Sequence, residues 1–134
     1  MMLNRASDTI VRDFESAALR DYDLSWSQYR VLHCLWLAGP LEQREVVEVT
    51  GMSRALVSST VKLLTRKQLV TSTCAAHDGR VRQLSLTEVG EETIGRAYRA
   101  QNAREVWWVD TLTPAERGIL LILLRKLTRG KADS

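Results

Sequence analysis

Residues 51–82 read GMSRALVSSTVKLLTRKQLVTSTCAAHDGRVR. Ser53 follows a glycine-bearing turn, and serine is among the best helix N-caps because its hydroxyl accepts from the open amides of the first turn. Val57, Val61 and Leu64 recur at helical spacing, with Leu56 and Leu63 predicted to widen the apolar stripe. The opposite face carries Arg54, Ala55, Ser58, Ser59, Lys62 and Arg66, which are small, hydroxylated or cationic, with no carboxylate among them. Val70 to Thr73 is then a β-branched run, His77-Asp78-Gly79-Arg80 is a polar tip, and Val81 to Leu86 alternates, which together predict a hairpin. A helix with a short cationic face followed by a hairpin with an arginine at its tip is the make-up of a winged helix-turn-helix. The expected fold class is therefore mostly α with a small β wing (α+β).

The remaining chain fits one compact domain of 134 residues, long enough to bury a real core. At 45% hydrophobic and 26% charged, the composition excludes general disorder. The longest apolar run, Ile119 to Leu124, is far short of the roughly twenty residues of a membrane span. The start, MMLNRASDTIVRDF, lacks an apolar core, so no signal peptide and a cytoplasmic location are expected. Cys34 and Cys74 stand in no metal-ligand spacing, and in a reducing compartment they are two thiols; the sharper alternative is a redox switch, which needs a lowered thiol pKa.

Net charge is only +3, but it is unevenly spread. Residues 1–40 hold four cations and five anions, and residues 88–134 hold eight and seven. Residues 51–82 hold six cations (Arg54, Lys62, Arg66, Lys67, Arg80, Arg82) against Asp78 alone. A local cationic patch on a near-neutral body is what attraction to phosphates requires.

Helices flank this stretch. Ala6, Ile10, Phe14 and Ala17 or Ala18 predict a first helix from about Arg5 to Tyr22, broken by Asp21 to Leu24. Ser25-Trp26-Ser27-Gln28 matches a capping box, serine bonding forward and glutamine back, for a second helix to about Ala38 with Val31, Leu32 and Leu35 inward. Gly39-Pro40 stops it. A short helix from about Glu42 to Val49, with Val46, Val47 and Val49 apolar, then leads through Thr50-Gly51-Met52 to the Ser53 helix, the helix-turn-helix arrangement. Thr87 can cap a long helix to about Thr111, with Ile94, Ala97, Tyr98, Val106, Trp107 and Val109 on its apolar side and Gly90 and Gly95 weakening it. Thr113-Pro114-Ala115-Glu116 starts a last helix to about Thr128. That helix is apolar on every side, which in a small domain implies a second copy of the chain to cover it. Lys131 to Ser134 is expected to fray.

No enzymatic motif is present: no Gly-rich phosphate loop, no HExxH and no GxSxG elbow. His33 and His77 lie in separate elements, the first expected in core or cleft and the second solvated, and no metal site or cofactor is expected. DNA binding accounts for more of the unusual residues. A helix entering the major groove needs small or hydrogen-bonding side chains near its N-terminus, where base edges come within reach. Ser53, Arg54, Ala55, Ser58, Ser59, Lys62 and Arg66 are so spaced. Arg54 is the candidate for guanine, Ser58 and Ser59 for bases or phosphates, and Lys62 and Arg66 for phosphates. In the wing, Arg80 suits the narrow, negative minor groove, Asp78 would anchor a nearby arginine, Gly79 permits the turn, and Arg82 completes the set. The competing readings are an ordinary solvated face and turn, or a winged-helix protein-interaction module without DNA binding; the lack of any carboxylate on the helix face argues against both.

On these residues the chain resembles the MarR family of bacterial transcriptional regulators along nearly its whole length. Leu24-Ser25-Trp26-Ser27-Gln28 is similar to the family's opening of the second helix. Ser53-Arg54-Ala55-Leu56-Val57-Ser58 resembles its recognition helix, and Asp78-Gly79-Arg80 with Leu86-Thr87-Glu88-Val89-Gly90 its wing. Leu112 to Glu116 resembles its last helix start. The resemblance implies a homodimer, with residues 1–24 and 88–134 as dimerisation helices and 25–87 as the winged lobe, on a pseudo-palindromic operator in double-stranded DNA. It implies repression relieved by a small, often aromatic or phenolic, ligand or by thiol oxidation. A cleft between the dimer helices and the lobe could be lined by Phe14, Trp26, Arg30, His33 and Trp36, which equally suit plain packing. There are two departures. The first helix has no cysteine, where the oxidation-sensing branch keeps its own. Glu42 stands where a capping serine or threonine is usual, so a weaker cap is expected there.

Overall fold

The computed structural model describes residues 1–75 and 78–132, and of residues 75, 78, 131 and 132 the backbone only. Among the described residues, six α-helices and one antiparallel hairpin follow in the order α1 (Met2–Phe14), α2 (Trp26–Ala38), α3 (Gln43–Thr50), α4 (Arg54–Arg66), β1 (Val70–Ala75), β2 (Asp78–Leu86), α5 (Glu88–Val109) and α6 (Pro114–Ala132). The winged helix-turn-helix expected from the sequence is therefore present. Two compact units, Met1–Gln101 and Asn102–Ser134, divide the chain within α5.

In the first unit, α1 starts at Met2 rather than Arg5 and widens into a π-helical turn at Glu15–Leu19 and a 3-10 turn at Arg20–Tyr22. Asp23 ends it in the left-handed region (φ 55°), a conformation that aspartate tolerates better than most residues. The wide turn brings Phe14, Ala18 and Leu19 inward while Ala17 stays exposed. The capping box at Ser25 forms, with the serine Oγ accepting from the Gln28 N–H at 3.2 Å. The core assembles Leu19, Val31, Leu32, Leu35, Val46, Val57, Leu64, Val70, Leu84, Ile94 and Ala97 from helices and hairpin alike.

At α3 the weak cap is offset from the other side, as the Glu45 carboxylate accepts from the Glu42 N–H at 3.0 Å. The turn between α3 and α4 needs Gly51, whose φ of +71° lies in the left-handed region. Thr50 secures it, its hydroxyl donating to the Val46 carbonyl (2.6 Å) and accepting from the Met52 N–H (3.2 Å). Ser53 then caps α4 by accepting from the Leu56 N–H at 3.1 Å.

Strand register runs from Val70 opposite Leu86 to Cys74 opposite Arg82, then shifts so that Ala75 faces Asp78. Three residues, Gly79 to Val81, are thus accommodated on β2 alone, an irregularity that alternation in the sequence does not reveal. Leu41 adds a bridge on the far side of β2, exchanging both backbone hydrogen bonds with Leu84. The expected solvated His77 falls outside the described residues.

Gly90 has a packing role that its sequence reading misses. Whatever it costs α5 in helix propensity, it permits a close contact, because a β-carbon there would stand 2.0 Å from the Leu69 carbonyl oxygen. A β-carbon on Gly95 would meet nothing within 4 Å.

In the second unit, Thr113 and Glu116 form the expected reciprocal cap on α6, at 2.8 and 3.2 Å. These bonds hold the Glu116 carboxyl below the usual glutamate range, so this cap is present above the ordinary range and lost as pH falls through the lowered value. Arg117 closes the turn, donating to the Val109 and Leu112 carbonyls and pairing with Asp110 at 3.0 Å. Every large apolar side chain from Ile119 to Leu124, and Leu127, is exposed in the single chain.

Replacing Gly90 with alanine should destabilise by about 1–3 kcal/mol through overpacking. Gly95→Ala should instead stabilise by about 0.5–1 kcal/mol, as expected for glycine within an open helix. Urea unfolding of both variants checks this pair of opposite signs.

Candidate nucleic-acid interface

Helix α4 buries Val57, Thr60, Val61 and Leu64 against the core and turns Arg54, Ala55, Ser59, Lys62 and Arg66 outward, with Ser58 half-buried at the edge. Arg54, Lys62 and Arg66 make no hydrogen bond or ion pair with other described residues, so their charges are available to an external anion. Ser59 donates back to the Leu56 carbonyl at 3.1 Å, leaving its oxygen free to accept. Arg54 sits at the first turn, where it lines a shallow groove with Gln43, Arg44, Val47 and Glu48 of α3. Arg44 is a cation that the sequence reading did not select, and Glu42 holds it at 2.5 Å.

Leu56 and Leu63 do not join the core, being 41% and 42% exposed. The helical period places them on the flank between the buried stripe and the cationic face, so a two-sided division of α4 into apolar and polar counts them on the wrong side. Val49 of α3 is likewise exposed.

The six cations of residues 51–82 are not equivalent. Lys67 is drawn inward, donating to the Asp23 carbonyl and to Gln28 Oε1 at 2.8 Å. Arg82 lies across the hairpin, donating to Ser72 Oγ and the Ser72 carbonyl, both at 3.0 Å, with Cys74 Sγ at 3.8 Å. Its guanidinium fastens β2 to β1. Gly79 and Arg80 are exposed on the shifted segment of β2. The expected anchoring role of the Asp78 side chain lies outside the described side chains.

On the other side of α2 a row of rings runs through the first unit. Phe14 meets Trp26 at 5.4 Å, and Trp26 stacks on Tyr29 at 5.6 Å. His33 lies stacked between Tyr29 (5.7 Å) and Tyr98 (5.8 Å), and Trp36 closes on Tyr98 at 5.4 Å. Residues 26, 29, 33 and 36 share one face of α2 by helical spacing. Four of the five cleft candidates (Phe14, Trp26, His33 and Trp36) thus come together, and the row adds Tyr29 and Tyr98, which sequence reasoning had not placed there. Tyr29 was discoverable from the 26–29–33–36 period. Tyr98, 65 positions beyond His33, was not. Arg30 leaves this row, its guanidinium donating to the Thr50 carbonyl at the helix-turn-helix turn.

Neither a helix long and apolar enough to cross a membrane nor a cluster of three or more metal-ligating side chains occurs among the described residues.

Residues 22–81 match a sequence model for the MarR family. A Bacillus subtilis protein described as the uncharacterized HTH-type transcriptional regulator YwaE is 31% identical over 125 residues, covering 93% of this chain and 73% of its own. The solved structure of BpsR from Bordetella bronchiseptica, described by the regulation of its DNA binding by 6-hydroxynicotinic acid, is similar with a TM-score of 0.85 and 26% identity, over 95% of this chain and 90% of that one. The transcriptional repressor CouR, solved bound to a 23-mer DNA duplex, also matches with a TM-score of 0.85 and 26% identity, over 95% and 89% of the two chains.

The two thiols differ in environment: Cys34 is buried and Cys74 exposed, and burial pushes the Cys34 thiol pKa up. A disulfide reagent at neutral pH should therefore label Cys74 promptly and Cys34 only after unfolding. Counting modified thiols before and after adding denaturant checks this, and prompt labelling of both would contradict the burial of Cys34.

Proposed function

The chain belongs to the MarR family of transcriptional regulators, and on that premise we propose that it is a homodimeric, sequence-specific DNA-binding repressor released by a small aromatic ligand. The observation that carries the DNA reading is the exposed face of α4. There Arg54, Lys62 and Arg66 make no hydrogen bond or ion pair among the described residues, and α4 itself carries no carboxylate, Glu48 of α3 standing across the groove from Arg54. Such a face is costly for a solitary folded domain, since like charges repel, and it becomes favourable when phosphates replace the counterions. Ser53, Ala55, Ser58 and Ser59 keep the first half of the helix slim enough to approach base edges. Arg80, with Gly79, Arg82 and Asp78 around it, serves as the minor-groove probe.

The dimer reading is carried by α6, whose apolar residues from Ile119 to Leu124 cannot be satisfied in water. A second copy supplies a like surface and presents two α4 helices to successive major grooves of a pseudo-palindrome. Helices α1, α5 and α6 then form the dimerisation part, and the location is cytoplasmic. The ligand reading rests on the row from Phe14 to Tyr98, where Trp36 and Tyr98 leave ring surface exposed for an aromatic guest. Among candidate triggers this is preferred to thiol oxidation, because Cys34 is shielded, the exposed Cys74 has no second accessible thiol in its own chain to pair with, and α1 has no cysteine.

Arg54→Ala should cost about 1–3 kcal/mol on the preferred duplex and relax selectivity at one base pair of each half-site, whereas Lys62→Ala should weaken all sequences alike and lower the salt slope by about 1. Arg80→Ala should weaken operator binding with little loss of folding. These are read by fluorescence anisotropy at two salt concentrations with the upstream DNA of the protein's own gene. Wild-type affinity and salt slope in Arg80→Ala would remove the wing from the interface.

A further inference from the structure

The cationic stretch contains one lysine whose partners lie outside it altogether. Lys67 is the C-cap of α4, and an ammonium has three donors and no acceptor. All three have an acceptor within reach: the Asp23 carbonyl, Gln28 Oε1 at 2.8 Å, and the Asp23 carboxylate at 3.4 Å. These acceptors belong to the turn before α2 and to its first helical turn, about forty residues earlier in the chain.

Gln28 is 8% exposed and holds two partners with one oxygen. Its capping bond to the Ser25 N–H is 3.5 Å long, so the Lys67 bond at 2.8 Å is the shorter and stronger of the two. The next links lead to the ring row. The Trp26 N–H, also in the first turn of α2, donates to the Glu15 carboxylate at 2.9 Å, and the Trp26 ring lies between Phe14 and Tyr29.

We propose that Lys67 is a positioning residue for DNA reading: it ties the end of the recognition helix to the first turn of α2, and so to the aromatic row. This rests on the proposed DNA-binding role of α4. A helix must be held at a fixed angle to place Arg54 and the serines on particular base edges, whereas attraction to phosphates alone tolerates a loose one. Cutting the tie therefore lowers affinity for the preferred sequence and spares affinity for arbitrary DNA. Because Trp26 and Gln28 share one helical turn, a shift of the row is transmitted to α4 through the same tie.

The test measures binding of the duplex that the wild-type protein selects from random-sequence DNA, and of a scrambled duplex of equal length, at 20 °C and two salt concentrations. Lys67→Met is expected to lose about tenfold on the selected duplex, little on the scrambled one, and none of the salt slope. Gln28→Met should do the same, the double variant should be no weaker than the weaker single one, and Lys67→Arg should recover part of the loss. A role in stability alone would lower the melting temperature while leaving the ratio between the two duplexes unchanged, and that result overturns the proposal. So does an equal loss on both duplexes with a salt slope reduced by about one, which would make Lys67 a phosphate contact. If Lys67→Met does not fold, Asp23→Asn keeps the left-handed turn and removes only the ion pair. A smaller drop in the ratio supports the tie, and an unchanged ratio overturns it. A wild-type protein that selects no sequence fails at the DNA reading itself, before any variant is compared.

Discussion

The exit of α4 is the constraint on which the rest of the structure depends. Gln68 turns the chain in the left-handed region (φ 61°), a conformation unfavourable for a residue with a β-carbon. Local hydrogen bonds hold it there. The Gln68 and Leu69 amides donate to Thr65 and Leu64, both at 3.0 Å. From the far side of the wing, the Thr87 hydroxyl donates to the Gln68 carbonyl at 2.6 Å and the Thr87 N–H to the Leu69 carbonyl at 3.0 Å. Thr87 also caps α5, accepting from the Gly90 N–H at 3.0 Å, and Gly90 lets α5 lie directly on the Leu69 carbonyl. Recognition helix, wing and α5 therefore meet within a few residues, and the Lys67 tie joins α2 to the same junction.

That junction explains how charge is divided. Cations placed at it or across the hairpin are consumed internally, Lys67 by Asp23 and Gln28 and Arg82 by Ser72. Among the described residues, Arg54, Lys62 and Arg66 on the outer arc of α4 make no such bond. Total charge is thus a poor guide to the proposed interface, since only the members directed outward can attract phosphate. The same division separates the two faces of α2, one supplying Val31, Leu32 and Leu35 to the core and the other a line of stacked rings.

Much of this was legible in the sequence because it is encoded locally. Ser25, Ser53 and Thr113 cap helices, Gly51 makes the turn, and Val57, Val61 and Leu64 mark the buried stripe, each within a few residues of its partner. What escaped was set by distant contacts. Gly90 looks like a helix defect until the Leu69 carbonyl is brought against it. Lys67 looks like part of a phosphate patch until Asp23 arrives. Leu41 has no strand signal of its own and bridges Leu84 only because the hairpin lies alongside. Leu56 and Leu63 show the complementary case, where apolar character does not mean burial because helix geometry leaves them at the flank.

We propose that two copies of α4 read double-stranded DNA in register. Selection of bound duplexes from a random-sequence pool tests it most directly. The expected result is an enriched inverted repeat whose half-site centres lie about 10 base pairs apart, one turn of the double helix. Recovery of unenriched sequence, or of a single half-site with no symmetric partner, would contradict it.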